Sequence, residues 1–363
     1  METSLEDRKY RVIANELRDN ILAGRYAPGA AFPSVKMLCR RFNISHLTAA
    51  KVIETLKDMG LVHTRNGVGT FVARRMRSIG LIVPMQRQVE IFPPIVREIS
   101  RLAQEKAIGI EYADISEFSS SKVKALTVET ARRMSEIDLS GVIFHPVDFG
   151  ADRALVNREV ERLFSEAGVP LVMLDSSVFS EEGTSPYDFV GVDNREIGEM
   201  VGSHVIERGA KSVAFVAWSD ISGNVKRRLD GLLFVIASKR GSRFAGRYIW
   251  QRDASEMARK WKNHLPDAIV CSSDLVAAHV LKLLLKIKKR CPQDVLVTGV
   301  NDVDLATLVS PPLTTVHQPC EAIANAAFET LLWRMENPTA ATRRILVATD
   351  LVIRESTTRT FKE

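Results

Sequence analysis

The sequence predicts an α/β protein in two parts: a small winged helix-turn-helix domain at the N-terminus, and a larger two-lobed domain of parallel sheets covered by helices. Three observations carry this expectation. A helix-turn-helix pattern followed by a Gly-containing hairpin occupies residues 33–72. From Ser78 onward, continuous apolar runs alternate with amphipathic stretches, as strands buried on both faces require. The excess positive charge is confined to the first part: residues 1–77 hold 14 Lys and Arg against 7 Asp and Glu, whereas the remaining 286 residues hold 36 against 37.

In the first part, Tyr10 to Leu22 places Val12, Ile13, Leu17, Ile21 and Leu22 at helical spacing, and Gly24 with the Tyr26 to Gly29 turn ends the run. A second helix, Val35 to Phe42, stops at Asn43. Ser45 can cap a third that runs to Met59, with Ala49, Val52, Ile53 and Leu56 facing a core. His46, Leu47, Thr48 and Lys51 then lie at the end that meets base edges when such a helix enters a major groove. Two short apolar-alternating runs, Leu61 to Thr64 and Thr70 to Val72, flank Arg65, Asn66, Gly67, Val68 and Gly69, where Asn-Gly supplies the positive φ of a tight turn. A helix pair with a hairpin can also be a purely structural module. The confined positive charge favours a phosphate-binding surface instead.

At 363 residues, 45% hydrophobic and 26% charged, the chain has the composition of an ordinary folded protein. The stretch METSLEDRKY has no apolar core and no run reaches 18 uncharged apolar residues, so neither a signal peptide nor a membrane span is expected, and the expected place is the cytoplasm. Cys39, Cys271, Cys291 and Cys320 show no paired spacing and read as reduced thiols. Arg74, Arg75, Met76 and Arg77 form a short basic link that is expected to pass torque, and that could also meet phosphate or be merely a solvated junction.

Strand runs follow at Ile79 to Val83, Ile108 to Tyr112, Val142 to His145, Leu171 to Leu174, Phe189 to Val192, Val213 to Ala217, Ala268 to Cys271 and Val295 to Thr298. Amphipathic helices lie between them, among them Pro94 to Glu105, Ala151 to Ala167, Arg195 to Glu207 and Leu275 to Lys288. No GxGxxG follows the first strand and no GxxxxGK[ST] occurs, so no dinucleotide or nucleotide cradle is indicated. The seven His residues form no HExxH, and no GxSxG turn is present, so metal or triad catalysis has no motif to stand on. No cofactor is expected, and the chain does not read as an enzyme.

LRDNILAGRYAPGAAFPS, FNISHLTAAKVIETL and GLVHTRNGVGTFV together resemble the winged-helix domain of the GntR family of bacterial transcription regulators. The resemblance places DNA contacts on Ser34, Lys36, Ser45, His46, Leu47 and Thr48, and on Arg65, Gly67 and Gly69 in the wing. Lys36 and His46 stand where Arg is common, and Leu47 where a small polar residue is common, which implies an operator unlike the family norm. SIGLIVP, VPLVMLD, DFVGVDNREIG, KRRLDGL, VCSSDLVA, VTGVND and SPPLTTVHQP resemble, in order, the effector domain of the LacI/GalR family, which has the type I periplasmic-binding-protein fold. The pair suggests an arabinose-repressor-like architecture: residues 1–73 a DNA-binding head, 74–77 a linker, 78–356 an effector-binding and dimerising body, 357–363 a tail.

The resemblance further implies effector contacts from Asp175, Arg228, Ser273, Asn301 and Gln318, with Phe92 or Trp250 stacking on a sugar face. Core packing is the alternative for Phe92 and Trp250, and helix capping or strand pinning for Asp175 and Gln318. The lobe crossings are expected near Ser176 to Asp188 and near Leu313 to Gln318. Asn301 and Asn224 replace an acidic and a small hydroxyl residue respectively, so the effector is expected to differ from a common hexose. The implied protein is a homodimeric, ligand-responsive repressor of double-stranded operator DNA, its effector a small molecule of carbohydrate type. An activator or co-effector-dependent regulator is the alternative, and a GntR-headed enzyme-like protein the alternative from another class.

Overall fold

The computed structural model describes residues 5–22, 25–27, 29–65, 68–72, 78–84, 90–115, 120–148, 150, 152–176, 186–218 and 222–358. It divides into two compact units, residues 1–77 and 78–363.

The first unit consists of α1 (Leu5–Leu22), α2 (Val35–Phe42), α3 (His46–Asp58), β1 (Val62–Arg65) and β2 (Gly69–Val72). Its core gathers Ile13, Ala14, Leu17, Leu38, Val52, Ile53, Leu56 and Val72. The first helix begins at Leu5 and not at Tyr10. An apolar stripe marks only the packed part of a helix. Asn43 leaves α2 in the left-handed region at φ 48°, which turns the chain toward α3. The Ser34 and Ser45 hydroxyls accept from the backbone N–H of Met37 and Thr48, and each such cap is worth about 1 kcal/mol. β1 and β2 pair antiparallel from Val62↔Val72 to Arg65↔Gly69; the Asn66-Gly67 turn between them and the basic link at 74–77 lie outside the described residues.

The second unit opens with β3 (Ser78–Val83), α4 (Phe92–Glu105), β4 (Gly109–Asp114), α5 (Ser120–Ser135), β5 (Gly141–Phe144), α6 (Arg153–Glu166), β6 (Leu171–Leu174) and β7 (Asp188–Gly191). It continues with α7 (Asn194–Glu207), β8 (Ser212–Ala217), α8 (Gly223–Ser238), β9 (Arg243–Ile249), α9 (Trp250–Trp261), β10 (Ala268–Cys271), α10 (Asp274–Lys286), β11 (Leu296–Thr298), α11 (Leu305–Leu308) and β12 (Thr315–His317). Then come α12 (Cys320–Glu336), β13 (Arg344–Leu346), β14 (Asp350–Val352) and a 3-10 turn, Glu355–Thr357. One parallel sheet has the order β13-β7-β6-β5-β3-β4 and the other β11-β10-β8-β9, with β12 and β14 as an antiparallel pair attached through Thr298 and Thr314.

The chain therefore crosses between lobes three times: after β7 at 192–193, before α12 at 318–319, and between β13 and β14 at 347–349. This corrects the expectation of a first crossing near Ser176 to Asp188, because β6 and β7 are neighbours in one sheet. Of that stretch, 177–185 lies outside the described residues. Strands β9, β12, β13 and β14 escaped the sequence reading. β9 is a half-exposed edge strand with Arg243 and Arg247 on it, and the other three have only three residues each, too short for a period to register.

Two contacts hold the lobes in their shapes. On α12, Arg334 donates Nε and Nη2 to the Asp188 carboxylate at 2.7 and 3.0 Å, and Nη1 to the carbonyls of Asn337, Pro338 and Ala340. That pins the turn that delivers β13 to β7. In the second lobe, α7 and α8 meet backbone to backbone: a Cβ at Gly198 would fall on the Arg228 carbonyl, and one at Gly231 on the Arg195 carbonyl.

One buried carboxylate is poorly served. Glu161 on α6 is 8% exposed, its Oε1 has no hydrogen-bond partner among the described residues, and burial pushes its pKa up to about 7. An acid whose folded pKa is raised contributes stability below its ordinary pKa and loses it as pH rises through the folded value. Glu161→Gln, which does not titrate, should therefore gain on the wild type between pH 5 and pH 8 by about 1 to 3 kcal/mol. Urea midpoints at the two pH values check this, and a difference that does not grow with pH counts against it.

Candidate functional site

On the head, the N-terminal ends of α2 and α3 present Ser34, Lys36, Ser45, His46 and Leu47 to solvent. Leu47 is 69% exposed and Met37 58%, so both are apolar side chains without a core role. Thr48 is different. It is buried, and its hydroxyl lies 2.8 Å from that of Ser45, inside the cap. One turn on, the exposed residue is Lys51, its ammonium 5.5 Å from the centre of the Tyr10 ring. In the wing, Gly69 has φ 142°, a conformation that a side chain rarely adopts; the Arg65 side chain and Gly67 are outside the described residues.

In the second unit, polar groups converge where the strands of the two sheets end. Asp175 follows β6 with φ 62°, is buried, and receives Nδ2 of Asn224 on both its carbonyl (3.1 Å) and its carboxylate (3.0 Å). Asp148 follows β5; its carbonyl accepts from Gly223 N–H at 3.4 Å and its carboxylate from the Ser222 hydroxyl. Glu90 precedes α4; its carboxylate accepts Nδ2 of Asn301 at 2.9 Å and the backbone N–H of Leu275. Three first-lobe carboxylates thus reach across to the starts of α8 and α10, where unpaired N–H groups and the helix dipole favour negative charge. Burial raises the pKa of Glu90 and of Asp148, and for Asp148 the neighbouring Asp175 charge adds to the effect.

Arg228 stands among them, 8% exposed, with Nε on Asn194 Oδ1 and Nη1 on the Ser272 carbonyl, both at 2.7 Å. Burial lowers its pKa, and the carboxylates of Asp175, Asp274 and Asp148 oppose that. Asp274 is fully buried and held near pKa 7 by burial, although Thr315 Oγ1 donates to it at 2.6 Å and Val303 N–H at 3.0 Å. Gln318, at the second crossing, donates Nε2 to Asn301 Oδ1 at 2.8 Å, which closes a relay from Gln318 through Asn301 to Glu90. Asn301 itself sits at φ 121°.

The comparisons with known proteins fall on the same two units. Residues 9–72 match the family described as "Bacterial regulatory proteins, gntR family", and residues 203–357 the family described as "Periplasmic binding protein-like domain". The chain is a transcription regulator that joins a GntR-type head domain to a periplasmic-binding-protein-like body. An arabinose metabolism transcriptional repressor of Halalkalibacterium halodurans is 24% identical to the regulator over 98% of each chain. The ribose operon repressor of Escherichia coli is 28% identical over 52% of this chain and 58% of its own. Among solved structures, a transcriptional regulator CelR–cellobiose complex superposes with TM-score 0.65 at 20% identity, covering 90% of this chain and all of its own. A LacI family regulator from Enterococcus faecalis with bound ribose gives 0.64 at 19% identity, covering 79% of this chain and all of its own. Both likenesses speak to the fold.

The regulator's structure brings together Asp175, Arg228, Asn301 and Gln318 of the residues expected from sequence. Ser273 is next to them, but its hydroxyl accepts from Val276 N–H at 3.4 Å as the cap of α10. Phe92 is fully buried in the first-lobe core, edge-on to His145 at 4.7 Å, so stacking on a ligand is replaced by packing. Trp250 is half-buried and lies 5.1 Å from the His279 ring, which Trp218 approaches at 5.0 Å from the same end of the neighbouring strand β8. Glu90, Asp148, Trp218 and His279 were not anticipated. The rule that ligands meet α/β sheets beyond the carboxyl ends of their strands would have pointed to the first three, since each follows a strand.

Proposed function

We propose that this chain binds operator DNA as a homodimer and that a small carbohydrate in the cleft between its lobes sets the operator affinity. The observation that carries the reading is the set of contacts from Glu90, Asp148 and Asp175 to the starts of two second-lobe helices. They make the relative position of the lobes depend on polar groups that a polyhydroxylated ligand can bridge. The names of the relatives, arabinose and ribose repressors, agree with this and favour repression over activation. DNA recognition falls to Ser34, Lys36, Ser45, His46 and Leu47, with Arg65, Gly67 and Gly69 in the wing, and Thr48 serves them by fixing the cap. Leu47 suits a thymine methyl group better than a hydrogen-bonding edge. Among the described residues no helix is long and apolar enough to cross a membrane; the proposed place of action, the cytoplasm, follows from the operator DNA it binds.

The dimer follows from geometry on DNA. One winged helix reads a few base pairs, and a two-fold axis doubles the site into a pseudo-palindrome. Sedimentation should show a dimer at micromolar concentration on operator DNA, and a monomer there would count decisively against this reading. Operator affinity should fall with salt at a log-log slope of about −0.9 per neutralised phosphate. His46→Ala should relax selectivity at one operator position, on the order of 1 to 3 kcal/mol, and an unchanged selectivity profile would remove His46 from the interface.

The decisive test of the effector class is a melting-temperature titration with pentoses, hexoses and disaccharides. A ligand at 100 times its Kd adds about 2.7 kcal/mol to the native state and raises the melting temperature accordingly. The sugar that does so should also change the retention of operator DNA in a gel-shift assay.

A further inference from the structure

We propose that the effector of this cleft carries no negative charge, and that Glu90 is the residue that excludes phosphorylated and acidic sugars. The inference rests on the carbohydrate reading above and adds the charge class of the ligand.

The inventory of hydrogen-bonding groups supports it. Three carboxylates, Asp148, Asp175 and Asp274, act on one guanidinium, Arg228, and a fourth, Glu90, acts on Asp274. Two arms of that guanidinium are committed to Asn194 and to the Ser272 carbonyl. Nδ2 of Asn224 serves Asp175, Nδ2 of Asn301 serves Glu90, and Nε2 of Gln318 serves Asn301. The amide donors here are turned onto the protein's own acceptors. Among the buried atoms of these described residues the one without a partner is an acceptor: Gln318, 1% exposed, has none for Oε1. A buried acceptor without a partner costs free energy that a ligand hydroxyl or ammonium can relieve and that a phosphate or carboxylate oxygen cannot.

The places where an anion would otherwise bind are also filled. Helix N-termini hold phosphates because their N–H groups and dipoles converge there. At the start of α10 the Glu90 carboxylate already takes the Leu275 N–H, and at the start of α8 the Asp148 carboxylate takes the Ser222 hydroxyl while its main-chain carbonyl takes the Gly223 N–H. A phosphate entering the cleft would have to displace these acceptors and then remain beside the two carboxylates. Glu90 is the sharper discriminator of the two because it also governs Asn301, through which the orphaned Gln318 amide is oriented.

The experiment compares matched probes by calorimetry on the full chain: D-ribose with D-ribose 5-phosphate, and D-glucose with D-glucosamine, D-glucuronate and D-glucose 6-phosphate. Neutral or amino members should bind, and the anionic counterpart of any binder should be weaker by about 100-fold, the size of a several-kcal/mol like-charge contact. Glu90→Gln should close that gap about tenfold or more, as should a fall in pH that protonates the carboxylate. Asp148→Asn, which leaves the Gln318 relay intact, should close it in the same direction and serves if Glu90→Gln does not fold. An anionic probe that binds wild type as tightly as its neutral parent overturns the charge inference alone. A gap that neither variant alters removes Glu90 as its cause. Should no probe of any charge bind, the carbohydrate reading fails and this one with it.

Discussion

Gly198→Ala is expected to destabilise the second unit by about 3 kcal/mol or more, the upper end for overpacking, because the new methyl meets backbone and not a side chain that could swing away. Its Cβ would lie on the Arg228 carbonyl oxygen and 2.8 Å from the carbonyl carbon. Gly231 makes the reciprocal contact, its Cβ 2.9 Å from the Glu199 nitrogen. The two helices can admit a methyl only by moving apart, and α8 carries Asn224 and Arg228 to the cleft. Gly223, which has open space where its Cβ would be, provides the control and should change by no more than about 0.5 kcal/mol on conversion to Ala. Denaturant midpoints measure both. If Gly198→Ala unfolds at the wild-type midpoint, the close helix contact is wrong.

Arg228→Met is expected to cost about 3 to 5 kcal/mol, the range for removing one partner of a buried ionic cluster. The variant loses the bonds to Asn194 and Ser272 and leaves Asp148, Asp175 and Asp274 without their shared cation. The penalty should depend on pH in a defined direction. Asp148 and Asp274 already have raised pKa values, and without the guanidinium they rise further, so protonation relieves the variant as pH falls below about 7. The deficit measured at pH 5 should be smaller than at pH 8. A deficit that is the same at both would mean that charge is not what Arg228 supplies. For the effector assay the consequence is practical: a lost response in this variant counts as evidence only after its fold has been verified.

Much of this was written in local pattern. Ser45 before an apolar stripe identified α3, and the uninterrupted runs at 79–83 and 171–174 identified strands covered on both faces. What resisted was everything that depends on partners far away in the chain. β6 and β7 are separated by a stretch long enough to look like a lobe crossing, yet they are adjacent. Thr48 follows directly on the exposed His46 and Leu47, and only the direction of its side chain, fixed by the Ser45 hydroxyl, turns it into the cap and away from solvent. Glu90 is a single acid in a polar stretch, without period or motif. Its meaning comes from Asn301, and nothing local joins those two positions.

The three crossings have a consequence for how the protein is made. The first lobe lacks its covering helix and its edge strand until α12 and β13 exist, for Ile323, Phe328 and Leu331 share a core with Ile79 and Ile95. The second lobe needs still later residues: Ser356 donates to the Val297 carbonyl, and Thr357 joins His204 and Thr314. A chain leaving the ribosome at about 5 to 20 residues per second would therefore have a finished head well before either lobe could close. Until β13 emerges the first lobe offers unfinished apolar surface to chaperones and proteases, and until residue 357 emerges the second lacks the polar contacts that close it. A message cut short within α12 would yield a folded DNA-binding head on an unfoldable body, and pulse proteolysis of ribosome-bound chains halted on either side of residue 357 would reveal that order.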